Sequence, residues 1–151
     1  MQLILVRHGE AATQVTTDES RALTPRGQQQ AASTAHYITS RYQPDLFVVS
    51  PLLRAQQTRD AFEPLCPQVP TLVCPCIKPD DPAAVALEWL SHLQGECIVV
   101  VCHMNIVAYL GGLLSGDVPQ SFSLAEARVY EQVLIGRGLS TQQAAFVPID
   151  I

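Results

Sequence analysis

The 151-residue chain is 48% hydrophobic and 15% charged, which excludes a disordered segment and predicts a single domain over residues 1–151 with one sizeable core. A net charge of −5 leaves no basic stripe for neutralising phosphates, so general binding to nucleic acid or to an anionic membrane surface is not expected. No apolar run approaches the roughly 20 residues of a bilayer span, no leader-like segment opens the chain, and the odd set of five cysteines suggests reduced thiols; the expectation is a cytoplasmic protein.

Leu3 to Val6 is an uninterrupted apolar run, the pattern of a short strand buried on both faces. Arg7, His8 and Gly9 follow where that strand leaves the sheet. Arg7 offers a planar fork of donors suited to a tetrahedral oxyanion, and His8 a nitrogen that is neutral and nucleophilic near pH 7. Gly9 is read as letting the backbone turn and approach a ligand closely. Ala11 to Arg21 is polar and predicts a loop beside the strand end. Thr24 and Pro25 then suit the N-cap and first position of a helix whose apolar face is Ala31, Ala35, Ile38 and Tyr42.

Leu46 to Val49 predicts a second buried strand, delivering Ser50 and Pro51 into a turn with Arg54 in the first turn of the next helix. Ala55, Thr58, Phe62 and Leu65 continue that helix's apolar stripe, and Thr71 to Cys74 is a weaker third strand. Asp81 and Pro82 predict the N-cap and first position of a third helix, with Ala86, Trp89, Leu90 and Leu93 buried and Gly95 just past its end. Cys97 to Cys102 is the most apolar strand; it ends at His103 and leads into a helix carrying Ile106, Val107, Leu110, Leu113 and Leu114, closed at Gly116. Ala127 to Ile135 and Ala144 to Ile149, around Gly136-Arg137-Gly138, predict a hairpin at one edge.

The alternation predicts an α/β three-layer sandwich: a mainly parallel central sheet, helices on both faces and a C-terminal edge hairpin. Ligands in such sheets bind beyond the carboxyl ends of the strands. Arg7 and His8, then Ser50 to Arg54, then His103 all fall there, so two arginines and two histidines converge on one rim. That set suits a dianionic phosphoryl group, with Arg7 and Arg54 gripping oxygens, one histidine attacking phosphorus and the other donating a hydrogen bond. His8 is the chosen nucleophile. Arg21 either extends the pocket or pairs with a nearby carboxylate, and Asn105 either orients the rim or caps the following helix. His36 and His92 read as surface residues, and Cys74-Pro-Cys76 lacks the spacing and the second pair of a zinc site.

Four motifs in order, Arg7-His8-Gly9-Glu10, Arg21-x-Leu23-Thr24-x-x-Gly27, Ser50-Pro51-x-x-Arg54-Ala55-x-Gln57-Thr58 and Cys102-His103, resemble the histidine phosphatase superfamily, also called the phosphoglycerate mutase-like fold. The resemblance implies a phosphorylated nucleophile at His8, a phosphate pocket completed by Arg7, Arg54 and His103, and no metal or other cofactor. Short length, the run Leu114-x-Gly116-x-x-Pro119-x-x-Phe122 and the closing hairpin are similar to the members that remove phosphate from a histidine on a phosphotransfer domain of a signalling relay. Asp80 and Asp81 are the candidate proton donors, with Glu10 behind them. A phosphatase for a small phosphorylated metabolite, an inactive phosphate-binding module, and a metal-dependent hydrolase built on His8, Glu10 and His103 are the alternatives.

Overall fold

A computed structural model describes residues 1–13 and 16–149; of the polar loop read over Ala11 to Arg21, positions 14 and 15 lie outside the described residues. Six strands form one mixed sheet: β1 (Gln2–Arg7), β2 (Leu46–Val49), β3 (Thr71–Val73), β4 (Cys97–Cys102), β5 (Ala127–Glu131) and β6 (Thr141–Phe146). Their spatial order is β3-β2-β4-β1-β5-β6, with the first four parallel and β5 and β6 antiparallel. This is the expected α/β sandwich with its edge hairpin.

The two central strands, β4 and β1, each carry an uninterrupted apolar run, as burial on both faces requires. Every residue of β4 is buried, as are Leu3 to Val6 of β1. One face of the sheet packs against α1 (Pro25–Arg41) and α2 (Leu53–Asp60) through Ala35, Ile38 and Ala55, joined by Phe62 from just beyond α2. The other packs against α3 (Ala83–Ser91) and α4 (Ile106–Ser115) through Ala86, Leu90, Ile106, Val107, Leu110 and Leu114. Each fully buried Leu, Ile, Val or Phe among them contributes about 1.5–3 kcal/mol. The termini follow the local chemistry. Thr24 caps α1 by accepting from the Gly27 amide with Pro25 in the first turn, and Gly116 closes α4 at φ 73°, a left-handed conformation natural to glycine.

Several boundaries differ from the sequence reading. Asp81 does not cap α3: Pro82 holds the cap position without a side-chain bond, while the Asp81 carboxylate accepts from the Lys78 amide and closes the preceding turn. The α3 helix ends at Ser91, before Gly95, and Leu87 joins its buried side. The α2 helix ends at Asp60, so Phe62 is buried from the turns that follow and Leu65 is exposed. β6 begins three residues earlier than the apolar pattern suggested, because an edge strand is chosen by pairing with β5 and not by burial.

Register places the rim. Arg7 pairs with Cys102 across β1 and β4, so His8 and His103 leave adjacent strands at the same level. Val49 pairs with Val101, so Ser50 and the start of α2 emerge beside them.

Candidate active site

The Arg7-His8-Gly9 turn is clamped from several sides. The His8 amide donates to the Cys102 carbonyl and its carbonyl accepts from Ala125, a residue held at φ 56°. The Gly9 amide donates to Thr58 Oγ1 at 3.1 Å, and that hydroxyl donates to the Arg54 carbonyl at 2.9 Å, which ties the first strand's turn to α2. Gly9 is required for a different reason from the one the sequence suggested. A Cβ there would stand 2.5 Å from the Gly27 carbonyl oxygen, and a Cβ on Gly27 would collide with the Glu10 carbonyl. The glycines of the first two motifs let the first turn of α1 lie directly on the His8 turn.

His8 is 6% exposed and its Nδ1 lies 2.6 Å from the Gly9 carbonyl oxygen. A carbonyl can only accept, so Nδ1 carries the proton and the lone pair resides on Nε2. Burial, with the charges of Arg54, Arg7 and Arg21 acting in the same direction against the Gly9 hydrogen bond, pushes its pKa down to about 4. The His103 ring centroid is 5.2 Å away. Burial, together with His8 and Arg54, lowers the His103 pKa to about 3. Both imidazoles are therefore neutral at pH 7. His103 Nε2 is 2.7 Å from Ser50 Oγ, while its Nδ1 is buried without a partner.

The two arginines are held alike. Arg7 Nη1 donates to the Phe122 carbonyl at 2.8 Å, and Arg54 Nη1 donates to the Asp18 carbonyl at 2.9 Å. In each guanidinium Nε is buried with no partner. Nε and Nη2 share the edge that a bidentate oxyanion uses. Three buried nitrogens without partners, the donors Arg7 Nε and Arg54 Nε together with His103 Nδ1, thus accompany the one deprotonated imidazole nitrogen of His8. Unsatisfied buried donors are costly and rare, and where they gather a ligand's acceptors supply what the protein does not.

The other candidates are engaged elsewhere. Arg21 donates through Nε to the Ala12 carbonyl at 2.7 Å and pairs through Nη1 with Asp18 Oδ1 at 3.2 Å. Glu10 accepts from the Thr24 hydroxyl at 2.8 Å and pairs with Arg26, so it secures the start of α1. Asp80 accepts from Asn105 Nδ2 at 3.1 Å; the Asn105 side chain therefore braces this loop and makes no cap bond to α4. Among the described residues no group of three or more His, Cys, Asp or Glu is placed to hold a metal ion. The five cysteines are all free thiols. Gln57 accepts from the Leu23 amide at 2.7 Å, as a residue that holds the helix in place should.

Sequence reasoning missed Asp18. It bridges two arginines, Oδ1 to Arg21 and Oδ2 to Arg54 Nη2 at 3.1 Å, from a single 3-10 turn, Asp18–Ser20, capped by Thr17. An acidic residue within a polar loop carries no periodic signal, and only the folded loop brings it to Arg54. Ser50 was legible as a strand end; its role in holding His103 was not.

A family model for the histidine phosphatase superfamily (branch 1) matches residues 3–72, which hold His8 and Arg54. In this match, in its fold and in the residues of its rim, the chain is similar to that superfamily. The chain also resembles SixA. It is 29% identical over 130 residues to the phosphohistidine phosphatase SixA of Escherichia coli K12, covering 82% of this chain and 80% of that one. The structure of the protein histidine phosphatase SixA complexed with tungstate superposes with a TM-score of 0.88 at 25% identity over 97% of both chains. A SixA from Agrobacterium tumefaciens shares the fold, with a TM-score of 0.84 at 19% identity over 97% of both chains.

Proposed function

We propose that this chain, acting as one domain over residues 1–151, is a cytoplasmic phosphatase whose substrate is a phosphohistidine side chain on a signalling protein, namely a histidine phosphotransfer domain. The observation that carries the reading is His8 itself: a neutral imidazole with its lone pair fixed on Nε2, accompanied by the buried nitrogens Arg7 Nε, Arg54 Nε and His103 Nδ1, none of which has a partner. The similarity to SixA supports the substrate class.

In the first step Nε2 of His8 attacks phosphorus in line, and the bond from phosphorus to the substrate imidazole breaks. Arg7 and Arg54 hold the nonbridging oxygens through their Nε and Nη2 edges. A Ser50 hydroxyl donating to His103 Nε2 puts that ring's proton on Nδ1, where it donates to a phosphoryl oxygen. The leaving imidazole departs neutral when its far nitrogen is already protonated, so this substrate asks little of a general acid. Of the two candidate donors, Asp80 is the one tied to the rim, through Asn105, whereas Asp81 serves its own turn. Water then attacks the phosphorylated His8, its oxygen bonding to phosphorus as the phosphorus–nitrogen bond breaks; inorganic phosphate leaves with the water's protons and His8 returns to its neutral form. No residue of this scheme requires a metal or other cofactor.

The test is turnover of a histidine-phosphorylated phosphotransfer domain by the wild type and by His8→Ala. Wild type is expected to release inorganic phosphate and to yield a phosphorylated protein labelled at His8; His8→Ala is expected to lose at least ~10³-fold in rate with its fold intact. Ordinary turnover by His8→Ala overturns the mechanism. Faster turnover of sugar phosphates or nucleotides than of the phosphorylated domain overturns the substrate class and leaves the mechanism standing.

A further inference from the structure

Arg54 differs from Arg7 in one respect: a carboxylate already sits on the edge that a phosphoryl group needs. Asp18 Oδ2 is 3.1 Å from Arg54 Nη2, whereas Arg54 Nε, on the same edge, is buried and unpartnered. Arg54 is 3% exposed and the Asp18 side chain 56%, so a buried guanidinium faces a carboxylate largely open to solvent. The second oxygen of that carboxylate rests on Arg21 at 3.2 Å. Asp18 also supplies the carbonyl that anchors Arg54 Nη1. The backbone of one residue therefore fixes the guanidinium while its side chain covers half of the working edge.

We propose that Asp18 is a specificity-determining residue of the phosphoryl site, a built-in competitor that yields Arg54 Nη2 to an incoming phosphoryl group and reclaims it when phosphate is released. The proposal rests on the assignment of Arg54 to the phosphoryl group. On binding, only the Oδ2 contact breaks: the carbonyl stays on Nη1, and the carboxylate remains on Arg21, which keeps its charge partnered. No covalent bond changes. A phosphoryl group delivered on a protein surface has contacts beyond the pocket with which to displace Asp18. Free inorganic phosphate has none, and its negative charge must displace another negative charge without help. Asp18 thus discriminates against the product and promotes its departure.

The experiment is phosphate binding by isothermal titration at pH 7, with inorganic phosphate as the probe, on wild type, Asp18→Asn, Arg54→Gln and the double variant. Asp18→Asn keeps the side chain's shape and removes its charge. It is expected to bind phosphate about five- to tenfold more tightly and to show correspondingly stronger product inhibition in turnover. Arg54→Gln is expected to weaken phosphate binding, and adding Asp18→Asn to it is expected to restore no more than a fraction of the gain, because the competition acts through Arg54. Unchanged or weaker binding by Asp18→Asn, folded as judged by its thermal transition, overturns the competitor role. The same gain with and without Arg54 also overturns it, since the effect is then general charge and not this contact. Phosphate affinity indifferent to Arg54→Gln overturns the underlying assignment of Arg54, a separate failure. Asp18→Ala, which cannot hydrogen-bond, is expected to match or exceed the Asn variant; a loss in both reveals a structural carboxylate.

Discussion

Arg7, at the end of β1, and Arg54, in the first turn of α2, are built to one plan. Each rests Nη1 on a backbone carbonyl, Phe122 for Arg7 and Asp18 for Arg54, and each leaves Nε buried and open. Each supporting loop is itself braced by a further arginine. Arg128 donates to the Gln120 and Ser121 carbonyls, pairs with Glu126 at 2.6 Å and lies 3.8 Å from the Phe122 ring centroid. Arg21 donates to the Ala12 carbonyl and pairs with Asp18. The bracing differs in burial. The Arg128–Glu126 pair is 12% and 8% exposed, against 28% and 56% for Arg21–Asp18. Desolvated pairs resist separation, and solvent-exposed ones trade partners at little cost. In the proposed site the Arg7 side is then the fixed wall and the Arg54 side the adjustable one.

The strongest way to break the comparison is to remove the shared feature. Arg7→Lys and Arg54→Lys keep the charge and lose the planar edge, so each is expected to lower turnover ~10²–10³-fold, by similar factors. Steady-state kinetics on the phosphorylated domain reads this. A full-rate lysine variant at either position shows that the edge is not used there.

The histidines between these walls give a second, thermodynamic test. His8 and His103 have folded-state pKa values of about 4 and about 3, below the ordinary histidine value of 6.5, chiefly through burial. As pH falls below 6.5 the unfolded chain takes up protons that the folded chain refuses, so stability is full above that pH and drops as pH falls toward 4. His8 alone accounts for up to about 3 kcal/mol of this loss. Denaturant unfolding at pH 7 and pH 4.5 measures it, and His8→Ala is expected to flatten the difference. An unchanged slope in that variant means that His8 titrates normally. The same depression keeps His8 nucleophilic in mildly acidic solution, so the acid limb of kcat/KM is expected below pH 5.

Much of this was legible beforehand, for physical reasons that differ by residue. Leu3 to Val6 and Cys97 to Cys102 read correctly because strands buried on both faces have no polar position to confuse the pattern, and they carry His8 and His103 at their ends. Arg54 followed from the strand that delivers it. Gly9 was recognised for a turn, but its requirement comes from Gly27, 18 positions away and invisible to local reasoning. The Asp81 cap failed because a carboxylate beside a proline has two amides within reach, and the Lys78 amide won. Of the arginine braces, only the pairing of Arg21 with some nearby carboxylate was among the readings; that the carboxylate is Asp18, and that Arg128 lies against Phe122, is declared only once the loops have closed.

Those braces supply the finer tests. Arg128→Gln removes the buried pair and the contacts that position the Phe122 carbonyl, and a misplaced Arg7 is expected to cost ~10–10² in kcat with modest loss of stability. Its signature is dependence on Arg7: combined with Arg7→Lys, the brace variant is expected to add little. Full additivity makes Arg128 a general stabiliser and no part of the fixed wall.

Arg21→Gln is expected to have the smallest effect and is informative through its sign. If Arg21 held phosphate directly, losing it would resemble losing Arg7. The observed contacts put it one residue away, on Asp18. Removing an exposed pair of this kind changes the balance by less than about 1 kcal/mol. The freed carboxylate then has Arg54 as its remaining partner and competes harder, so phosphate affinity is expected to fall about two- to threefold, opposite in sign to Asp18→Asn. In the Asp18→Asn background the Arg21 substitution is expected to be nearly silent, because there is no longer a charge to redistribute. A loss of ~10² in turnover would instead place Arg21 on the phosphoryl group, and the adjustable wall would then hold two working arginines.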